Sequence, residues 1–273
     1  MKWKVRWLTE IRGRVPLVAR VVLGTVPILA LLAVWWVLTA GEVEERAISP
    51  NILPSPWEVF SGDVLGLLWT DRELMRHVWV SLRRVALGYL LAVAIVFPLG
   101  VTMGAFGSTG ATFGPTATAS GYIPIATLVP LTMSWFGTGE QQKVVFLAMA
   151  FGIYLLPLIV NAVRGVPDVY LRTAYTLGAG RWSALWRVLV PVAGPEIWQA
   201  MRLAFGVGWS YLVLTEVVVL VDGLGYLIAQ SQRRGPREHI YLVILSITVI
   251  AWGADLIWDR AGRWLFAYKQ VER

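Results

Sequence analysis

Cysteine is absent from this 273-residue sequence, and charge is scarce, with Asp, Glu, Lys and Arg making up 15% of it. No cysteine means no disulfide scaffold and no thiolate metal site, though it does not identify the compartment. Soluble domains run nearer a quarter charged, and 57% of this chain is hydrophobic, so the scarcity points to a membrane-embedded protein. Only two histidines occur, His77 and His239, and they share no H-E-x-x-H or carboxylate spacing; they read as neither metal ligands nor a proton relay. A phosphate-binding loop is also missing. The nearest stretch, from Gly137 to Lys143, lacks the second glycine and the hydroxyl residue such a loop needs. The net charge of +7 flanks apolar runs rather than lining a soluble face, which argues against a nucleic-acid partner.

What is present is a series of long apolar runs. Residues 21–40, "VVLGTVPILALLAVWWVLTA", are uncharged and would make about 30 Å of helix, one bilayer core. Six basic residues precede the run and Glu42, Glu44 and Glu45 follow it, which predicts a cytoplasmic N-terminus and a retained first span rather than a cleaved signal peptide. Further spans are expected at 82–106, 112–136, 144–163, 197–220 and 241–257. Pro98, Pro115, Pro124, Pro130 and Pro157 fall inside them, which neighbouring helices must compensate, so the spans form a bundle. Six spans return the basic C-terminus to the cytoplasm. The expected layout is a cytoplasmic N-terminus over 1–20, a first span over 21–41, and an outer loop with an amphipathic helix over 42–81. A transmembrane core over 82–260, carrying a cytoplasmic loop at 164–195, and a cytoplasmic tail over 261–273 complete it. Arg83, Arg84, Arg233, Arg234 and Arg237 sit in its outer loops, against the charge rule.

One stretch stands out, "RTAYTLGAGRWSALWRVLVP" at 172–191. Pro167 and Asp168 suit a helix start, Gly178 and Gly180 a break, and Trp182, Leu185, Trp186 and Leu189 recur at i, i+3, i+4 and i+7. Pro191 and Pro195 are expected to end this second short helix before the fifth span. Residues alone leave two readings: an interfacial linker, or a docking element for a soluble partner.

The spacing from Gly178 through nine residues to Val188-Leu189-Val190-Pro191 resembles the EAA loop of binding-protein-dependent ABC importer permeases, E-A-A, three residues, G, nine residues, I-x-L-P. Arg172-Thr173-Ala174 stands where the pattern has Glu-Ala-Ala. Other stretches are similar to family motifs in the same order: "LPSPWEVF"; "HVWVSLRR" (H-x-x-x-S-L-x-R); the turn Phe97-Pro98-Leu99-Gly100; "WFGTGEQQK" (W-F-G-x-G-x-x-x-K); "GVGWSYLVLTEVV"; and "GLGYLI". Together they look most like the nitrate/sulfonate/taurine branch.

This resemblance implies an all-α, polytopic bundle of about six spans with the type I importer permease fold, in a bacterial inner membrane. It implies a chain that is not itself an enzyme and binds no cofactor, with ATP and Mg held by two partner ATPase subunits. The other implied partners are a second permease copy, an extracytoplasmic solute-binding protein and membrane lipid. It assigns ATPase coupling to Arg172, Thr173, Ala174, Leu177, Gly178, Ala179, Val188 and Pro191. Glu216, Trp209, Tyr122 and Pro124 are the candidates for the path of a small, anionic solute such as nitrate, a sulfonate, taurine or bicarbonate.

Glu216 is the one acid in an apolar part of the fifth span, so it reads either as functional or as an outer-interface residue. Asp255 and Asp259 are expected to pair locally with Arg260 and Arg263. Trp35, Trp36, Trp135, Trp252 and Trp258 read as interfacial anchors. Small residues (Ala117, Ala119, Gly121, Gly152, Gly206, Gly208) place close helix contacts and the pairing face on the third to fifth spans. The alternative function is a secondary transporter working without an ATPase, but no internal repeat supports it. A membrane enzyme would need clustered titratable residues within the spans, where only Glu216 qualifies.

Overall fold

The computed structural model describes residues 13, 15–42, 44, 46–50, 52–70, 72–218, 221–234 and 237–270. Most of the N-terminal tail (residues 1–12 and 14) and the last three residues of the chain therefore lie outside the described residues. The helices are α1 (Leu17–Leu38), α2 (Pro56–Val59), α3 (Gly62–Thr70), α4 (Leu74–Ala105), α5 (Gly107–Ser120), α6 (Leu128–Phe136), α7 (Glu140–Arg164), α8 (Asp168–Thr176), α9 (Arg181–Ala184), α10 (Val190–Val218), α11 (Leu224–Arg234) and α12 (Arg237–Leu265). Among the described residues, five helical stretches are long and apolar enough to cross a membrane: α1, α4, α7, the continuous run Arg181–Val218, and α12.

The expected third span, 112–136, is not one helix. α5 ends at Ser120, a turn follows, and the chain resumes with a short 3-10 helix, Ile125–Thr127, leading into α6. Pro124 supplies no N–H and disfavours a helical conformation at the residue before it, which explains the break. The chain's direction still requires a return here. Arg84, near the start of α4, bonds Glu140 at the start of α7 and Glu216 near the end of α10. So α4 and α7 run parallel, α10 runs against both, and residues 107–136 must travel back between them.

Close packing of α4 on α7 comes from a ridge at every fourth residue: Gly88, Ala92, Val96, Gly100, Gly104. A Cβ at Gly88 would lie 2.6 Å from Leu147 Cβ, and one at Gly104 2.6 Å from Val163 Cβ. Small residues thus let two membrane helices touch along their length. The contact involves the second span, which the sequence reading had not singled out. Around it lie two cores. Val101, Leu155, Ile159, Leu189 and Ile197 fill one end of the bundle, and Val85, Tyr89, Phe146, Phe151 and Leu212 the next layer. A third cluster (Val59, Leu68, Leu224, Leu227, Leu242) fixes α2, α3 and α11 against α12.

Several boundaries differ from expectation. α4 begins at Leu74, so Arg83 and Arg84 belong to a helix and not to an outer loop. Pro191 and Pro195 do not end the helix that starts at Arg181; it continues to Val218, with a π-helical turn over Leu185–Leu189. The wider turn absorbs the register change that proline forces on a helix. Pro195 also leaves the Pro191 carbonyl without its helical donor, and the Tyr268 hydroxyl donates to it at 3.3 Å. Asp255 and Asp259 pair chiefly with Arg202 of α10, at 2.6 and 2.8 Å, and Arg263 joins Asp259 at 2.8 Å. Among the tryptophans, Trp258 is half-buried, packing against Tyr89, Trp198 and Phe205. The Trp35 indole N–H donates to the Pro54 carbonyl at 2.9 Å, tying α1 to the loop before α2.

Two glycines chosen from sequence separate cleanly. A Cβ at Gly208 would lie 2.0 Å from Phe151 Cε1, whereas one at Gly206 meets nothing within 4 Å. Gly208→Ala is expected to destabilise the fold by about 1–3 kcal/mol through overpacking, read as a lower unfolding temperature in detergent. Gly206→Leu should leave that temperature unchanged. Equal unfolding temperatures for the two variants would contradict this packing.

Candidate functional site

Two places in the fold bring motif residues together, one at each end of the bundle. At the first, Arg84 is 1% exposed and serves three other segments. Its Nε donates to Glu140 at 2.9 Å, and its Nη1 donates to Glu216 Oε1 and to the Asp222 carbonyl, both at 2.8 Å. Nη2 reaches the carboxylates of both Glu140 and Asp222. A guanidinium can do this because its donors lie in one rigid plane. Lys143 is also buried and sits 3.7 Å from Glu140 and 3.6 Å from Asp222. Two cations therefore face three carboxylates, and burial is tolerable because each charge has partners.

The loop after α10 is held just as closely. Gly223 N–H donates to His77 Nδ1 at 2.9 Å, Leu224 N–H to Ser81 Oγ at 2.9 Å, and Gly225 N–H to Glu216 Oε2 at 2.9 Å. Ser81 Oγ donates in turn to Glu216 at 2.8 Å. Gly223 has φ +106°, and a Cβ there would lie 2.3 Å from the Glu216 carboxyl carbon. Asp222 lies outside the long helices. Burial works to raise its carboxyl, but Arg84 and then Lys143 outweigh that and hold it below the usual carboxylate range.

These are the motif residues themselves. His77, Ser81 and Arg84 are the H, S and R of "HVWVSLRR"; Glu140 and Lys143 belong to "WFGTGEQQK"; Glu216 to "LTEVV"; Gly223 to Gly225 open "GLGYLI". The sequence reading noted each stretch but found no cluster of titratable groups. The signal was there in three of these four stretches: "HVWVSLRR", "WFGTGEQQK" and "LTEVV" each carry at least one charged residue that an apolar span has no reason to keep.

At the other end lies the segment between α7 and α10. The start of α5 meets the end of α7 here, since a Cβ at Gly110 would touch Arg164. α8 closes in a Schellman turn: Gly178 N–H donates to the Tyr175 carbonyl and Ala179 N–H to the Ala174 carbonyl, both at 3.0 Å, with Gly178 at φ +81°. Ala174 is buried and Ala179 half-buried, while Arg172, Thr173 and Gly178 are exposed. Leu177, at the corner, is 83% exposed. Val188 is half-buried and Pro191 exposed. The expected four-residue stripe splits: Leu185 and Leu189 are buried, whereas Trp182 and Trp186 are largely exposed. Trp182 meets Phe106 edge-to-face at 5.7 Å, so the corner is braced against the α4–α5 turn.

The four path candidates do not share one site. Glu216 is 0% exposed and its oxygens are bonded. Trp209 is buried, with an indole N–H that finds no acceptor among the described residues. Tyr122 and Pro124 are exposed at the α5–α6 break. Pro124 lines a cavity of about 520 Å³ with Tyr154, Leu158 and Tyr211. A second cavity, about 820 Å³, continues past Leu158 to Asn161, Gln199 and Tyr268. The two adjoin at Leu158, forming a groove along α7 and α10 from the helix break to the segment between those helices.

A bundle with a proline-broken third segment, a capped corner between α7 and α10 and an apolar groove has the architecture of a transport permease. Residues 96–267 match the family described as "binding-protein-dependent transport system inner membrane component", and the chain belongs to that family. It is 32% identical over 251 residues to the taurine transport system permease protein TauC of Escherichia coli (strain K12), covering 90% of each chain. It is 25% identical over 239 residues to the nitrate import permease protein NrtB of Synechococcus elongatus, covering 86% of this chain and 84% of that one. Its fold is that of type I ABC importer permeases. A chain of the inward-facing MetNI methionine ABC transporter superposes with a TM-score of 0.65 at 20% identity, covering 75% of this chain and 98% of the other.

Proposed function

We propose that this chain is the permease subunit of an ATP-driven importer for a small anionic solute of the sulfonate or nitrate class. The solute arrives on a soluble binding protein, and ATP with Mg is held by two separate ATPase subunits. Two permease copies would enclose the path, with both termini cytoplasmic. The observation that carries the reading is the segment between α7 and α10. Its Schellman corner presents Leu177, 83% exposed, beside Arg172 and Thr173. An apolar side chain held out on a rigid, braced turn is costly in water and suits a protein groove. The groove along α7 and α10 supports the path reading, because it is long, and its lining at the helix break is mostly apolar. Arg172 in place of the family's Glu calls for an acidic or carbonyl-rich surface on the ATPase.

Leu177→Asp tests the docking. It should abolish co-purification of the ATPase and ATP-dependent uptake, while detergent unfolding stays normal. Uptake of taurine, an alkanesulfonate and nitrate, assayed in turn with the cognate binding protein, assigns the solute. ATPase bound normally to Leu177→Asp would reduce the segment to a linker.

A further inference from the structure

The inner segment joins the inner ends of α7 and α10, and the outer ends of the same helices are tied to α4 through one side chain. We propose that Arg84 is a positioning residue that makes α4, α7 and α10 a single lever. A displacement of the inner segment is thereby delivered to the loop at 221–225 and to α11. This rests on the reading of that segment as the ATPase contact.

The span to be bridged is long. α7 has 25 residues, about 37 Å of helix. Along that length the contacts are close-packed and largely apolar, so they hold the helices together by shape without pairing charges. The outer end differs. Arg84 fixes Glu140 of α7, Glu216 of α10 and both the side chain and carbonyl of Asp222. These bonds are directional, and the Arg84–Glu216 pair is shielded from water, where separating charged partners is costly. Ser81 and His77, on the same helix, hold the next two backbone N–H groups of the loop. Any tilt of α7 and α10 is therefore shared with α4 and carried into the loop that leads to α11.

The test uses the permease–ATPase complex in proteoliposomes with its binding protein, scoring solute moved per ATP hydrolysed. Arg84→Lys keeps the charge and loses the fork. The paired variant Arg84→Gln with Glu216→Gln removes one matched pair of charges. Both should keep the ATPase bound and ATP turnover within about twofold, while solute per ATP falls about tenfold in the paired variant and less in Arg84→Lys. A purely structural role would lower transport and turnover together, and that result, or an unchanged ratio, overturns the proposal. If neither variant accumulates in folded form, the wild-type background decides. Spin labels on Gly139→Cys and Val221→Cys, introduced into the cysteine-free chain, should keep one separation with and without trapped ATP. A change of about 5 Å, one helical turn, would show the ends moving apart and sink the idea. Leu177→Asp runs alongside: ATPase still bound to it indicts the docking reading, whereas its loss with normal coupling in the Arg84 variants indicts the lever alone.

Discussion

Gly223→Ala is expected to cost this protein most of its stability, although the substitution adds a single methyl group. At φ +106° an L-residue is strained, by about 1–2 kcal/mol on the scale of left-handed backbone conformations. The larger effect is steric and electrostatic. The new Cβ would fall 2.3 Å from the Glu216 carboxyl carbon and 2.3 Å from its Oε1, so carboxylate or loop must move. Moving the carboxylate separates it from Arg84, Ser81 and the Gly225 N–H, and breaking a buried ion pair costs about 3–5 kcal/mol. Most domains hold only about 5–15 kcal/mol in reserve. The expected readout is a low yield of folded protein in detergent and a sharply reduced unfolding temperature. Adding Glu216→Asp, which withdraws the carboxylate by one methylene, should recover part of the loss. Wild-type unfolding of Gly223→Ala would mean that residues 221–225 follow another course.

At the opposite end, Gly178→Val is expected to spare the bundle and, on the docking reading proposed above, to reduce transport about 5- to 30-fold. No atom of the described residues lies within 4 Å of a Cβ placed there, so none of them resists the substitution sterically. The backbone does resist: at φ +81° a β-branched residue is strongly disfavoured, and the penalty of about 1–2 kcal/mol falls on the Schellman turn that aims Leu177. A shift of that size depopulates the docked geometry about 5- to 30-fold. Uptake should fall accordingly, with ATPase co-purification weakened and detergent unfolding unchanged. Gly178→Asn, which tolerates left-handed geometry, should retain much of the activity. Equal transport by the valine and asparagine variants would remove the corner from the mechanism.

The contrast between these glycines shows how differently the two ends were written into the chain. At Gly178 the sequence was enough. Helix start, helix stop and the nine-residue spacing to Val188-Leu189-Val190-Pro191 are local properties, and the turn forms as they require. Apolar runs likewise determined an all-helical membrane bundle, because each run needs only its own composition and length to be recognised. The α5–α6 break was legible in part: prolines and glycines marked 112–136, but not where the helix would part.

Only the tertiary structure decided the rest, and for one physical reason: the deciding contacts are long-range. Arg84 meets Glu140, Glu216 and Asp222 across separations of 56, 132 and 138 residues. Read alone, Arg84 was an awkward charge in an outer loop and Glu216 an isolated acid in oil. Their charges cancel only when four segments are folded together, which also lets α4 continue past two arginines. The same applies to the prolines after Leu189. Local rules end the helix there, but the π turn and the Tyr268 hydroxyl, 77 residues on, satisfy what they leave open. Sequence determined which elements form and how the corner at Gly178 turns; packing decided which charges are partners, and so which end of the bundle carries the ion-pair network.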